Sequence, residues 1–283
     1  MKMLENKVAV ITGGTRGLGL GIAQTYAAEG AAVVIAGRSQ TTVDSAVTEL
    51  QSSSGQAAGI ACDVSDLKQV EALGVFAVET FGKIDIWVNN AGLSAPYGPT
   101  MAISEAAFLS VVNTNIVGVY NGSKVALRYM LPNHSGKLIN ILGRNDKKGV
   151  KFQNAYSASK IWVRSFTSAL AQEYKDQGVE ILAFNPGLVD TDMLRHIEAL
   201  QGYEQHLKPL ETVIRLWGNK PELPAQKALW LASSATDGKN GLVVSIISPL
   251  SMMGGLFREA GRRVMRKSPP DTSLDIHTVA PDL

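Results

Sequence analysis

Tyr156 and Lys160 stand four residues apart in Tyr156-Ser157-Ala158-Ser159-Lys160. On a helix that spacing puts a phenol and an ammonium on one face, with Cβ atoms about 5–6 Å apart. A free phenol, with a pKa of about 10, is a poor acid or base near neutrality. A neighbouring cation favours the phenolate and lowers that value, at about 1.4 kcal/mol per unit. The pair therefore predicts general acid–base chemistry, provided the rest of the chain builds a site that faces it. An isolated YxxxK is ordinarily no more than an exposed helical pair.

Short apolar, β-branched runs alternate with longer segments of helical period, the pattern of a parallel sheet covered by helices on both faces. Strands are predicted at Val8–Thr12, Ala32–Ala36, Ala58–Cys62, Ile84–Asn89, Lys137–Leu142, Glu180–Asn185 and Leu242–Ile247. Helices are predicted at about 17–29, 41–53, 67–81, 103–131, 155–177 and 222–233.

The first strand runs into Thr12-Gly13-Gly14-Thr15-Arg16-Gly17-Leu18-Gly19. Gly13, Gly17 and Gly19 permit a tight turn and a close approach, and the next helix aims free N–H groups and its positive end at an anion. In a strand–turn–helix setting this is a dinucleotide pyrophosphate cradle, with Thr15, Arg16 and Leu18 filling the loop. After the second strand come Gly37-Arg38-Ser39, with no carboxylate for a ribose 2′-hydroxyl. Arg38 and Arg16 instead suit a 2′-phosphate, which predicts NADP(H) rather than NAD(H). Asp63 and Val64 end the third strand, and Asn90, Ala91 and Gly92 end the fourth. Ligands of open parallel sheets bind at those carboxyl ends, so the motifs agree in position. The fold class expected is α/β: a single Rossmann domain with a doubly wound, seven-stranded parallel sheet and helices on both faces.

The chain has 283 residues, 45% hydrophobic and 18% charged, enough for one large domain. A formal charge of +2, with no cationic stripe in the first 250 residues, argues against nucleic acid and for a small-molecule partner. Cys62 is the single cysteine, so no internal disulfide forms. There is no signal-peptide pattern and no integral membrane segment, and the expected location is cytoplasmic. No metal site is expected.

In order and spacing the chain resembles the short-chain dehydrogenase/reductase family over about residues 5–250. The motifs are TGGTRGLG at 12–19, Asp63, NNAG at 89–92, Asn115, YxxxK at 156–160, and Asn185-Pro186-Gly187 followed by Thr191. The resemblance implies that Tyr156 is the proton donor to a carbonyl, or the base toward an alcohol. It implies that Lys160 binds the nicotinamide ribose and lowers the tyrosine pKa, and that Asn115 holds a helix kink and a water on the proton path. Pro186, Gly187, Val189 and Thr191 would meet the nicotinamide carboxamide. A homodimer or homotetramer paired through helices 103–131 and 155–177 is also implied.

One position departs from the family. Its serine stands 13 residues before the tyrosine, where this chain has Gly143 in Leu142-Gly143-Arg144. Losing one preorganised donor lowers a rate about 10²–10³-fold, so slower hydride transfer is expected rather than none. Asn145, Asn154 or the substrate itself could supply the donor. Arg144-Asn145-Asp146-Lys147-Lys148 reads as a solvated turn or as a contact to an anionic substrate.

Residues 188–220 read as a substrate lid, with Met193, Leu194, Leu200, Tyr203, Leu207, Leu216 and Trp217 as its apolar face. The domain ends near 255, after an apolar, methionine-rich Ser248–Gly255. A basic helix follows over Leu256–Lys267, with Arg258, Arg262, Arg263, Arg266 and Lys267, then an irregular tail over 268–283. The helix could bridge subunits, stay solvated or lie on an anionic membrane.

The activity expected is NADP(H)-dependent hydride transfer to and from a carbonyl/alcohol pair on a fairly apolar small molecule. Two alternatives stand beside it: reduction of a C=N or polarised C=C bond, and a weakly active NADP-binding regulatory or assembly protein.

Overall fold

The computed structural model describes residues 2–53, 55–143, 145–247, 249–265 and 268–282. Arg144, Ser248, Arg266 and Lys267, together with the side chains of Arg258 and Arg263, lie outside the described residues.

Seven parallel strands form the main sheet: β1 Val8–Thr12, β2 Ala32–Gly37, β3 Gln56–Ala61, β4 Ile86–Asn89, β5 Gly136–Ile141, β6 Val179–Asn185 and, last in the sheet, Val243–Ser245. Helices α1 Gly17–Ala28, α2 Gln40–Ser52 and α3 Leu67–Phe81 follow the first three strands. Next come α4 Glu105–Val112, α5 Gly118–Met130 and α6 Asn154–Glu173. After β6 the chain makes α7 Asp192–Arg195, β7 His196–Leu200, α8 Lys208–Trp217 and α9 Glu222–Ala232. Strand Val243–Ser245 is β8, and α10 Pro249–Val264 and β9 Asp275–Val279 complete the chain.

The order β3-β2-β1-β4-β5-β6-β8 reverses direction between β1 and β4, which opens a crevice at their carboxyl ends. Strands covered on both faces read as unbroken apolar runs, and every residue of β1 is buried. One face packs Ile22 and Tyr26 of α1, Leu50 of α2 and Leu229 of α9. The other packs Val70 and Leu73 of α3 with Val125 and Met130 of α5. Local signals set the ends of α3. Asp66 accepts the Lys68 N–H at 2.9 Å, and Gly82 closes the helix at φ 82°.

Three expectations change. The helix expected over 103–131 is interrupted by a π turn at Asn113–Val117, which separates α4 from α5. The terminal helix begins at Pro249 rather than Leu256. The tail is not wholly irregular, because β9 pairs in parallel with β7 from Ile197↔Ile276 to Leu200↔Val279. That pairing ties the end of the chain to the lid. Among the described residues no helix is long and apolar enough to cross a membrane.

Candidate active site

The glycine loop is held from behind. The Asn90 Nδ2 donates to the carbonyls of Thr12 and Gly13, each at 3.0 Å. Thr12 Oγ1 accepts the N–H groups of Asn90 and Ala91 at 3.0 and 3.2 Å. Gly13 and Gly17 have φ of +63° and +55°, conformations that a side chain resists. A Cβ on Gly19 would overlap the Gly13 carbonyl. Asn90, expected to touch a cofactor, thus spends its amide on shaping the loop, while Leu18 packs into the core. Such a loop, drawn tight with no side chains projecting from its glycines, fits a pyrophosphate.

Around that loop, Arg38 and Ser39 are exposed at the carboxyl end of β2. Thr15 lies against Gly37, where a Cβ would come within 2.7 Å of its methyl group. Asp63 accepts the Ser65 N–H and hydroxyl at 2.9 and 2.7 Å, and Val64 is buried beside Gly118. From the far side, the segment after β6 reaches back across the crevice. Gly187, at φ +71°, donates its N–H to Asn185 Oδ1 at 2.9 Å. A Cβ on Gly17 would lie 3.1 Å from the Thr191 methyl, and Arg16 pairs with Asp192 at 3.5 Å.

At the centre, Lys160 is buried and donates to the Ile141 carbonyl at 3.1 Å. Its Nζ lies 5.7 Å from the centroid of the Tyr156 ring. A Cβ on Gly92 would sit 3.5 Å from both that Nζ and Asn115 Oδ1, so Ala91-Gly92 forms the near wall. Asn115 lies in the π turn. It accepts the Leu93 N–H at 2.8 Å and donates to the Leu93 carbonyl at 2.9 Å and to Ser159 Oγ at 3.0 Å. Ser159 in turn donates to the Tyr156 carbonyl at 2.7 Å.

Electrostatics run against one expectation. Tyr156 was expected to have a lowered pKa, yet burial, reinforced by the Asp146 carboxylate, pushes its phenol up to about 12. The ammonium that was to lower it is itself desolvated, and burial brings Lys160 down to about 8. Desolvation disfavours both charged forms, and here it outweighs their attraction.

Gly143 lies directly against the phenol: a Cβ there would overlap the Tyr156 hydroxyl and approach its Cζ to 3.0 Å, so the hydroxyl occupies the volume that a side chain at 143 would fill. Asn185 Nδ2 fixes this glycine by donating to its carbonyl at 2.9 Å. The adjacent polar loop is neither a solvated turn throughout nor a free cationic patch. Asp146 is buried and pairs with Arg164 of α6 at 2.6 Å, leaving Lys147 and Lys148 exposed.

A cavity of about 380 Å³ opens between Pro99-Thr100 and residues 149–154, and its lining includes neither Tyr156 nor Lys160. Phe152 stands beside it at φ +68°, with Tyr97, Tyr203 and His206 around its ring at 5.0–5.5 Å. Lys151 and Asn154 add polar edges to what was expected to be an apolar pocket. The lid's ends meet where Val189 bridges Asn219. Leu200 and Leu207 are packed away, whereas Met193 is exposed.

Known proteins place this arrangement. The family model for short chain dehydrogenases matches residues 7–202. The chain belongs to the short-chain dehydrogenase family. It is 33% identical over 252 residues to a 3-oxoacyl-(acyl-carrier-protein) reductase of Chlamydia muridarum, covering 86% of this chain and 97% of the relative. It is 36% identical over 195 residues to a ketoacyl reductase of Streptomyces coelicolor, covering 68% and 74%. The fold matches an actinorhodin polyketide ketoreductase variant determined with NADPH, at TM-score 0.77, 28% identity and coverage of 87% and 97%. It also matches a 3-ketoacyl-(acyl-carrier-protein) reductase from Brucella melitensis complexed with NADH, at TM-score 0.77, 28% identity and coverage of 88% and 99%.

As a short-chain dehydrogenase the protein is an oxidoreductase of a family that uses nicotinamide dinucleotides. Motif spacing located Tyr156, Lys160 and Asn115. It did not reveal Ser159 as the link between Asn115 and the Tyr156 backbone, the Asp146–Arg164 pair, or Asn185 as the anchor of Gly143. Ser159 lies inside the YxxxK motif, so only its spacing to Asn115 could have signalled it. Asp146 and Arg164 are 18 residues apart and carry no local signal.

Proposed function

We propose that the protein is an NADP(H)-dependent reductase of a carbonyl on a small, fairly apolar molecule. The observation that carries this reading is the convergence of Lys160 and Asn115 on Gly92, with the Tyr156 ring beside Lys160, near a glycine loop flanked by Arg16 and Arg38. The nicotinamide, when bound, supplies or accepts the hydride. Tyr156 holds the proton that a developing alkoxide needs. Burial keeps that phenol protonated, the form in which it can donate to a developing alkoxide. Lys160 places a cation beside the phenol and has N–H donors left for a ribose. Asn115 and Ser159 fix the helix turn that carries Tyr156. Arg38, with Arg16 once released from Asp192, supplies charge for a 2′-phosphate. Pro186, Gly187, Val189 and Thr191 line the side facing the carboxamide end.

Exposed Phe108, Leu109 and Tyr120 on α4 and α5 support a homo-oligomer paired through these helices. The cytoplasmic reading is kept with this assignment.

The test is NADPH oxidation against a panel of ketones, quinones, enones and cyclic imines. Tyr156→Phe is expected to lower turnover about 10²–10⁴-fold with the KM for NADPH unchanged. Arg38→Asp is expected to raise the KM for NADPH about tenfold and leave that for NADH unchanged. Turnover that survives in Tyr156→Phe would overturn the reading, and reduction confined to imines or enones would replace the carbonyl with those bonds.

A further inference from the structure

Helix α10 is packed inside out. Gly255 and Glu259 face the protein, and a Cβ on Gly255 would overlap the Leu216 carbonyl at the end of α8. Glu259 is paired there with Arg215 at 3.6 Å and with Arg262 at 2.7 Å. Among the described side chains, the opposite face, turned to solvent, carries the large apolar ones. Met253 is 52% exposed, Leu256 54%, Phe257 70% and Val264 83%. The spacing i, i+3, i+4 and i+11 places all four on one stripe, about 16 Å long at the helical rise. Met265, exposed just beyond the helix, adds to its end. Such a stripe is the face an amphipathic helix normally buries.

Charge identifies what covers it. Residues 249–267 contain Arg258, Arg262, Arg263, Arg266 and Lys267 against one carboxylate, Glu259, whereas the whole chain has a formal charge of only +2. That one carboxylate is already held by two arginines. Packing two copies stripe to stripe would bring these like charges together. A surface that is apolar at depth and anionic at its rim matches both properties. A single convex helix also suits a deformable layer.

We propose that α10 docks the protein on an anionic lipid bilayer, with Met253, Leu256, Phe257 and Val264 entering the acyl boundary and the net positive charge of residues 249–267 drawing the segment to anionic headgroups. The association is peripheral, since no described helix is long and apolar enough to cross. Helix α8 lies on the opposite, protein-facing side of α10, and the docking does not rest on the proposed function.

The full chain is sedimented with phosphatidylcholine vesicles, with or without phosphatidylserine, at low and high salt. Expected are binding only to the phosphatidylserine vesicles, weakening with salt, and at least a roughly tenfold drop in partitioning for Leu256→Ser/Phe257→Ser. Turnover on a water-soluble ketone stays unchanged in that variant. Should the double variant misfold, Arg266→Glu/Lys267→Glu removes binding while the apolar stripe stays intact. Absence of binding to phosphatidylserine vesicles, or equal binding by the variants, overturns the proposal. So does light scattering in which the double variant loses subunits and wild type ignores vesicles, because the stripe is then an interface between copies.

Discussion

The crevice has two halves that are built differently. On the cofactor side, each part of the glycine loop is held by a neighbour: Asn90 on Thr12 and Gly13, Thr12 on Asn90 and Ala91, and Asn115 on Leu93. Across the crevice, Gly143 presents no side chain, the Tyr156 hydroxyl fills the space beside it, and the chain's own tail is paired with β7 of the 188–220 segment. Recognising a fixed ligand needs rigid donors, so that half retains its pattern. The other half is where members of one fold can differ in substrate.

Gly143 offers the sharpest way to break that contrast. From the family pattern, restoring a serine should raise the rate. The structure argues the reverse, because even a Cβ there collides with the Tyr156 hydroxyl. Gly143→Ala and Gly143→Ser are both expected to lower kcat about 10–100-fold, by displacing the phenol from its preorganised place. Steady-state kinetics with NADPH check this. A gain in the serine variant alone would mean that Tyr156 leaves the pocket freely and that the two halves are alike in design.

Lys160 sharpens the comparison on the cofactor side, where function keeps a charge that stability does not favour. The folded lysine binds its proton only up to about pH 8, and the unfolded one up to about 10.5. The unfolded state therefore holds this lysine's extra proton between those values, and the contribution of Lys160 to stability rises with pH across that window. Below pH 8 the buried ammonium destabilises the fold by at most about 3 kcal/mol, partly offset by its bond to Ile141. Lys160→Met is expected to be more stable than wild type by about 2 kcal/mol at pH 7 and equal to it near pH 10.5. Thermal melts across that range, without nucleotide, give the answer. A pH-independent difference would place the lysine in a wetter site.

The same division runs through what sequence could disclose. Strands β1, β2 and β4 to β6 were legible as short buried runs followed by a turn or helix signal, β3 as a half-buried apolar run, and α3 ends where Gly82 turns the chain. The glycine loop and Tyr156-Lys160 were legible because their spacing is local. The π turn was legible only through the family resemblance, which gave Asn115 a helix kink; Asn113-Thr114-Asn115 by itself reads as continuous helix, and the Asn115 contacts to Leu93 and Ser159 are long-range. Strands β7 and β9 escaped because His196, Glu198, Asp275 and His277 break up their apolar residues, and their pairing spans some eighty residues of chain. The pKa direction of Tyr156 escaped for a similar reason: it depends on where Asp146 and Gly143 fold, not on the four-residue spacing to Lys160.

The smallest effect is expected at the tail, and it bears on whether the substrate half is loose or strapped. Val279 packs with Ala102, Ile103 and Leu200, and the Asp282 N–H reaches the Ala102 carbonyl at 3.0 Å. Arg195 holds Asp190 of the lid while donating to the carbonyls of Asp271 and Ser273 at 3.0 and 3.1 Å. These contacts join the lid, the loop after β4 and the tail into one body that contacts Phe152 through Tyr97 and Tyr203. Val279→Asp places a charge in that cluster and is expected to detach β9. Hydrogen exchange at 196–200 should then quicken while β1 stays protected, and the KM for a bulky ketone should shift about threefold with the KM for NADPH constant. Unchanged exchange at 196–200 would show that β7 stands without the tail and that the strap has no function in binding.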